Sequence, residues 1–219
     1  MTKKDYTLVT IVGFLVGWLV LPVIANVGPR YGITVDARLG ATSVVGFSLF
    51  APLALWVLHL LSKKMPVFLQ FGKFAAVGTL NTLLNFAVLN SLILFTGVVA
   101  GWGYTGFTVV AFFIATTNSY FWNKFWTFQS RIPLGWGEYG RFALFTLGGV
   151  LLNAGAAHLI VNVIKVQGGI APELWANIGA FGGVAISFMW NFLTYRRIVF
   201  RDTAVAVPPT LTADERAKI

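Results

Sequence analysis

Long apolar stretches separated by short polar connections set the pattern of this chain. Six of them reach the roughly 20 residues that a helix needs to cross a hydrocarbon core, at about 7–26, 41–61, 71–96, 105–123, 141–164 and 174–195. The connections between them hold Gly28-Pro29, Pro66, Gly97, Pro133 and Gly168-Gly169, residues that interrupt regular structure. No segment alternates with the period of two that a membrane-spanning strand requires. The pattern predicts an all-α integral membrane protein of about six transmembrane helices. Lys3 and Lys4 followed by an apolar run over 8–25 also open as a signal peptide does. That run is long enough to span, and no small-x-small cleavage site follows it, so a retained helix is expected.

The third and fifth stretches resemble each other. Residues 71–85, FGKFAAVGTLNTLLN, recur as residues 139–153, YGRFALFTLGGVLLN, at a constant offset of 68 residues. This register pairs Gly72 with Gly140, Lys73 with Arg141, Phe74 with Phe142 and Asn85 with Asn153. Each copy runs through a second apolar stretch to a basic, aromatic end, NKFWTF at 123–128 and YRRIVF at 195–200. The chain is therefore expected to hold two repeats of two helices, 71–128 and 139–200, within a four-helix domain over 67–201. A hairpin over 1–66 that matches neither copy precedes the domain, and a flexible cytoplasmic tail over 202–219 follows it. Repeats that each span twice enter and leave on one side, so the copies are parallel rather than inverted.

Composition agrees with a membrane setting. Hydrophobic residues make up 57% of the 219 and charged residues 11%, with mean hydropathy +0.78, too apolar for an ordinary soluble domain. The net charge is +9. In so apolar a chain, basic residues record topology and contact with anionic headgroups rather than nucleic-acid binding. With both termini inside, every Lys and Arg except Arg30, Arg38 and Lys165 faces the cytoplasm, the asymmetry expected of a multi-pass protein of the cytoplasmic membrane. There is no cysteine, and His59 and His158 are the only imidazoles. No metal, cofactor or Cys/His nucleophile is expected.

The acidic residues all fall in loops, termini or helix ends. This leaves no carboxylate at mid-membrane for proton coupling, so His158 is the one ionisable candidate there. No GxxxxGK[ST] loop is present, so nucleotide hydrolysis does not drive the chain directly. The spans are instead rich in amides. Asn81 and Asn85 on the third, Asn118 on the fourth, Asn153 on the fifth and Asn191 on the sixth could bond between helices, or could donate to and accept from sugar hydroxyls without carrying charge. Lys73 and Arg141 open the repeated units, and Lys124 and Arg196-Arg197 close them. Such cations can be snorkelling anchors, or a phosphate site that helix N-termini at Gly72 and Gly140 would reinforce. Trp122, Phe125, Trp126 and Phe128, with Trp190, Tyr195 and Phe200, read as an interfacial aromatic belt.

These residues carry a family resemblance. Each unit resembles the short repeat of the GtrA-like membrane protein family, with an opening [FY]-G-[KR]-F-x-x-x-G at 71–78 and 139–146 and a closing Asn-aromatic-basic stretch at 118–128 and 191–200. The sequence departs from that pattern in four ways: Thr146 stands where the first copy has Gly78, the closing Asn of the first copy sits one place earlier than in the second, Tyr195 stands where an amide is expected, and the first hairpin lies outside the four-helix unit.

The resemblance implies a non-enzymatic flippase. It would move a polyprenyl-phosphate-linked monosaccharide across the cytoplasmic membrane for cell-envelope glycan synthesis. Lys73, Lys124, Arg141, Arg196 and Arg197 would then be the phosphate contacts, and Asn81, Asn85, Asn118, Asn153 and Asn191 the sugar contacts. Membrane lipids and glycosyltransferases are the expected partners, and a homodimer the expected assembly. A non-transporting partner of a glycosyltransferase and a small multidrug-type exporter remain as alternatives, the exporter disfavoured by the missing membrane carboxylate.

Overall fold

The computed structural model describes residues 1–164 and 172–201, and the tail expected over 202–219 lies outside them. Among the described residues the fold is six α-helices with no strand: α1 (Lys3–Val27), α2 (Ala37–Ser62), α3 (Val67–Thr96), α4 (Gly101–Trp122), α5 (Trp136–His158) and α6 (Pro172–Thr194). Each covers one predicted stretch, because run length and turn residues are local properties of the sequence. Thr2 caps α1, its hydroxyl accepting from the Asp5 N–H while the Asp5 carboxylate accepts from the Thr2 N–H, a reciprocal capping box. Asp36 caps α2, and Gly97 ends α3 at φ 71°, a left-handed turn that glycine adopts without strain.

Five of these helices are long and apolar enough to cross a membrane, and α4 is not among them. Its 22 residues would extend about 33 Å at 1.5 Å per residue, so length is not what sets it apart. The helix is diluted by Gly103, Gly106, Thr105, Thr108, Thr116, Thr117, Asn118 and Ser119, which keeps its most apolar stretch below those of the other five.

Both repeats end alike. The α4 helix runs into a five-residue π turn, Asn123–Thr127, closed by the Phe128 N–H on the Asn123 carbonyl at 2.8 Å. The α6 helix runs into a second, Tyr195–Val199, closed by the Phe200 N–H on the Tyr195 carbonyl at 2.9 Å. The closing phenylalanine packs on the matched residue of the opening helix in each case, Phe128 on Phe74 at 6.2 Å and Phe200 on Phe142 at 5.8 Å between ring centroids. Such π turns are rare and cluster at functional sites.

By contacts the chain divides into two compact units, residues 1–129 and 130–219. In the first, α1 packs on α2 and α3, and α3 packs on α4. The core there is Val9, Val12, Val16, Leu55, Val77, Leu80 and Trp126. Close approach of α1 and α2 depends on two glycines one turn apart. A Cβ on Gly13 would run into the Phe47 carbonyl, and one on Gly17 would lie 2.5 Å from the Val44 Cα. This is the small-xxx-small contact by which helices associate in lipid. In the second unit α5 packs on α6 around Phe142, Tyr195 and Phe200, all buried.

Two expectations change. The helices begin at Val67 and Trp136, so the N–H groups of Gly72 and Gly140 lie inside the helical ladder and offer a ligand nothing. The aromatic belt is also only partial: Trp126, Tyr195 and Phe200 are 2%, 2% and 5% exposed and pack between helices, where ring area and a polar handle can both be used. Exposed Trp102 and Trp136, at the starts of α4 and α5, occupy positions that suit an interfacial anchor.

Candidate functional site

In the first unit the cationic end is closed. The Lys73 ammonium meets the Asp5 carboxylate at 2.5 Å, with both side chains almost fully buried. The Trp126 indole N–H donates to the same carboxylate at 3.1 Å, and Lys73 Nζ lies 6.0 Å from the Trp126 ring centroid. Asp5 thus joins the first turn of α1, the second turn of α3 and the first π turn. Lys124 is 1% exposed, with its Nζ 6.0 Å from the ring centroids of Tyr120 and Phe125, a cation–π distance.

Trp126→Phe keeps most of the ring packing and removes the donor to Asp5. A hydrogen bond to a charged group is worth about 1.5–3 kcal/mol, so the thermal midpoint is expected to fall by about 4–8 °C. An unchanged midpoint in a melting assay would show that the indole contributes only area.

Deeper in the first unit, the amides pair between helices. The Asn118 amide N–H donates to the Asn81 carbonyl oxygen at 2.7 Å, joining α4 to α3, and Asn26 donates to Asn90 at 2.6 Å, joining α1 to α3. Asn81 Nδ2 is buried without a partner, and Asn85 is half-buried. Asn118 also lines an open groove with Phe113, Ile114, Thr117 and Phe121. A separate cavity of about 190 Å³ among α1, α2 and α3 is lined by Val12, Val16, Phe47, Phe50, Leu58 and their neighbours. It is too apolar to hold a sugar or a phosphate.

The second unit is arranged differently. Arg141, Arg196 and Arg197 are all exposed. They share one end of the α5–α6 pair, because Phe142, next to Arg141, lies 4.5 Å from the ring of Tyr195, next to Arg196. From that end a polar lane runs along the two helices. The Tyr195 and Thr146 hydroxyls bond at 2.5 Å. Asn191 follows, packed on Gly149, where an added Cβ would fall 2.5 Å from its Oδ1, and that oxygen is buried without a partner. Asn153 comes next, against Gly183, where an added Cβ would lie 2.6 Å from its Oδ1. From Phe142 to Asn153 is about 16 Å at 1.5 Å per residue, half a hydrocarbon core. The glycines make the room that the amides occupy.

His158 is exposed, and its Nδ1 lies 3.0 Å from the Asn162 amide, a neighbour on the same helical run. The five predicted cations are thus divided, with Lys73 and Lys124 enclosed and the three arginines open. Of the five predicted amides, Asn81 and Asn118 bond each other, while Asn153 and Asn191 face glycines.

Sequence reasoning missed Asp5 and Tyr195–Thr146. The Thr2-x-x-Asp5 spacing of a capping box was the one sequence signal that fixed Asp5 at an ordered helix start. The departures Thr146 and Tyr195 from the repeat pattern are the two residues that bond each other, and a paired departure is such a signal too.

No curated protein and no solved structure matches this chain. Residues 73–200 match the family described as GtrA/DPMS, transmembrane domain. That span is more than half of the 219 residues and begins at the lysine held by Asp5. With apolar helices of spanning length on both sides of its midpoint, the chain is a multi-pass membrane protein that belongs to the GtrA/DPMS transmembrane domain family.

Proposed function

We propose that this protein carries a polyprenyl-phosphate-linked monosaccharide across the cytoplasmic membrane, with the second unit reading the headgroup. The observation that carries this is the α5–α6 lane. Three exposed arginines at one end are followed inward by a hydroxyl pair and two amides set against glycines.

Such a cargo has an anionic phosphate, a neutral polyhydroxylated sugar and an apolar tail. Guanidinium groups match phosphate oxygens in paired hydrogen bonds. Amides exchange hydrogen bonds with sugar hydroxyls in either direction. A charge unaided at the bilayer centre costs several kcal/mol or more. Offsetting that cost is the whole task, so the chain performs no covalent chemistry, and flux follows the gradient between synthesis on one face and consumption on the other. Of the remaining predicted contacts, Lys73, Asn81 and Asn118 join helices of the first unit, Lys124 is buried in it and Asn85 is half-buried on α3, and all five are secondary in this reading.

Purified protein in liposomes containing a labelled polyprenyl-phospho-sugar tests this. Wild-type protein is expected to expose the label to an outside reagent, and Arg141→Gln with Arg196→Gln and Arg197→Gln to slow that exposure at least about tenfold, the loss of roughly 1.4 kcal/mol of recognition. Exposure at the wild-type rate by a triple variant of unchanged melting temperature would overturn the proposal.

A further inference from the structure

We infer that Asp5, supplied by the N-terminal hairpin, is a built-in counter-ion that takes the place of phosphate at the first repeat and thereby restricts anion recognition to the second. This rests on the reading of the arginines as phosphate contacts.

Duplication gives the chain two equivalent cations, Lys73 and Arg141. A protein with two equal anion sites would face its cargo with two competing positions. The structure makes them unequal. Lys73 is 5% exposed and paired to Asp5, and the indole N–H of Trp126 completes the shell of that carboxylate. Arg141 is exposed and its side chain has no ion pair or hydrogen bond among the described residues. The glycines beside them differ in the same sense. A Cβ on Gly72 would meet the Leu55 and Leu58 side chains of α2 at 2.9 and 2.7 Å, whereas Gly140 has nothing within 4 Å. The hairpin therefore covers the opening of the first repeat with both of its helices, α1 supplying the charge and α2 the apolar lid.

Asp5 lies outside the matched span of 73–200, so the group that neutralises Lys73 comes from the hairpin that precedes that span. A carboxylate held at hydrogen-bond distance from an ammonium, with a further N–H donated to it, presents the same chemistry as a bound phosphate oxygen. A headgroup could bind Lys73 only by displacing Asp5 from a buried pair, and that would leave the carboxylate unpaired in an apolar surrounding.

Farnesyl phosphate in detergent micelles, with inorganic phosphate as the tail-free control, provides the test. The charge swap Asp5→Lys with Lys73→Asp keeps an ion pair at this position but removes the lysine from α3. Its affinity for farnesyl phosphate is expected to stay within about twofold of wild type. A folded swap variant that loses more than about fivefold would show that Lys73 reads the phosphate itself and would overturn the inference.

Asp5→Ala vacates the counter-ion position, and Asp5→Asn does so while keeping the shape should the alanine variant not fold. Either variant is expected to show a larger anion-dependent rise in melting temperature than wild type, because a second anion position is added to that of the arginines, with farnesyl phosphate and inorganic phosphate both effective. The absence of any such gain in a folded variant would also overturn it. Retained binding in the triple arginine variant would instead remove the phosphate reading of the second unit, and the swap and rescue results would still report on Asp5 independently.

Discussion

Gly17→Leu is expected to lower the thermal midpoint by about 6–12 °C, the equivalent of about 3 kcal/mol at the upper end of overpacking costs. The reason lies in what the glycine touches. A Cβ at Gly17 would lie 2.5 Å from the Val44 Cα and 2.8 Å from the Ser43 carbonyl oxygen. These are backbone atoms of a helix, so no rotamer change relieves the contact, and α1 and α2 must move apart as whole elements. In lipid that separation is costly, because association there depends on close packing rather than on release of water. It also loosens the Val12, Val16 and Leu55 core beneath and withdraws Asp5 from Lys73. Gly46→Ala on α2 supplies the control, since Gly46 has nothing within 4 Å. That change replaces a flexible helical residue with a better helix former and is expected to stabilise by about 0.5–1 kcal/mol. Melting followed by size-exclusion chromatography distinguishes the two. Equal midpoints for Gly17→Leu and wild type would mean that the α1–α2 approach is not tight.

The helices themselves were legible in the sequence, since about 20 apolar residues flanked by glycine and proline leave a membrane chain few alternatives. All six runs became helices, although α4, with its threonines and Asn118, proved less apolar than its neighbours. Phe74 and Phe142, which the offset of 68 pairs in the sequence, each pack on the phenylalanine that closes a π turn, Phe128 and Phe200. The partners of the charged residues were not legible. Lys73 looks identical in sequence whether it faces lipid headgroups or Asp5, and the two residues are far apart along the chain. Trp126 shows the same limit: an indole near a helix end suits an interface, and only the position of α1 turns it inward to donate to Asp5. The π turns were illegible because they depend on which carbonyl the Phe128 and Phe200 N–H groups select, a choice made by the packing of those rings. Gly13 and Gly17 were visible as residues, but their role waited on knowing which face of α2 they meet.

Phe142→Ala is the second large expected effect, and it ties stability to the arginine end of the second unit. The Phe142 side chain is 0% exposed, with its ring centroid 4.5 Å from Tyr195 and 5.8 Å from Phe200. Truncating a buried phenylalanine costs about 3–5 kcal/mol where the site cannot collapse, so a fall in midpoint of about 6–12 °C or more is expected. Tyr195 begins the π turn that holds Arg196 and Arg197, and Phe200 closes it. Loss of the ring between them therefore removes the support that fixes the direction of both guanidinium groups. Phosphate recognition should weaken alongside stability, even though Phe142 itself has no group to offer an anion. Phe142→Leu, which refills much of the volume, separates the two consequences: it should recover most of the midpoint while leaving farnesyl phosphate affinity reduced, since a branched aliphatic chain does not reproduce the tilted ring contacts. Full recovery of both in the leucine variant would show that volume alone orders the turn, and that the aromatic geometry shared by the two repeats has no part in placing the arginines.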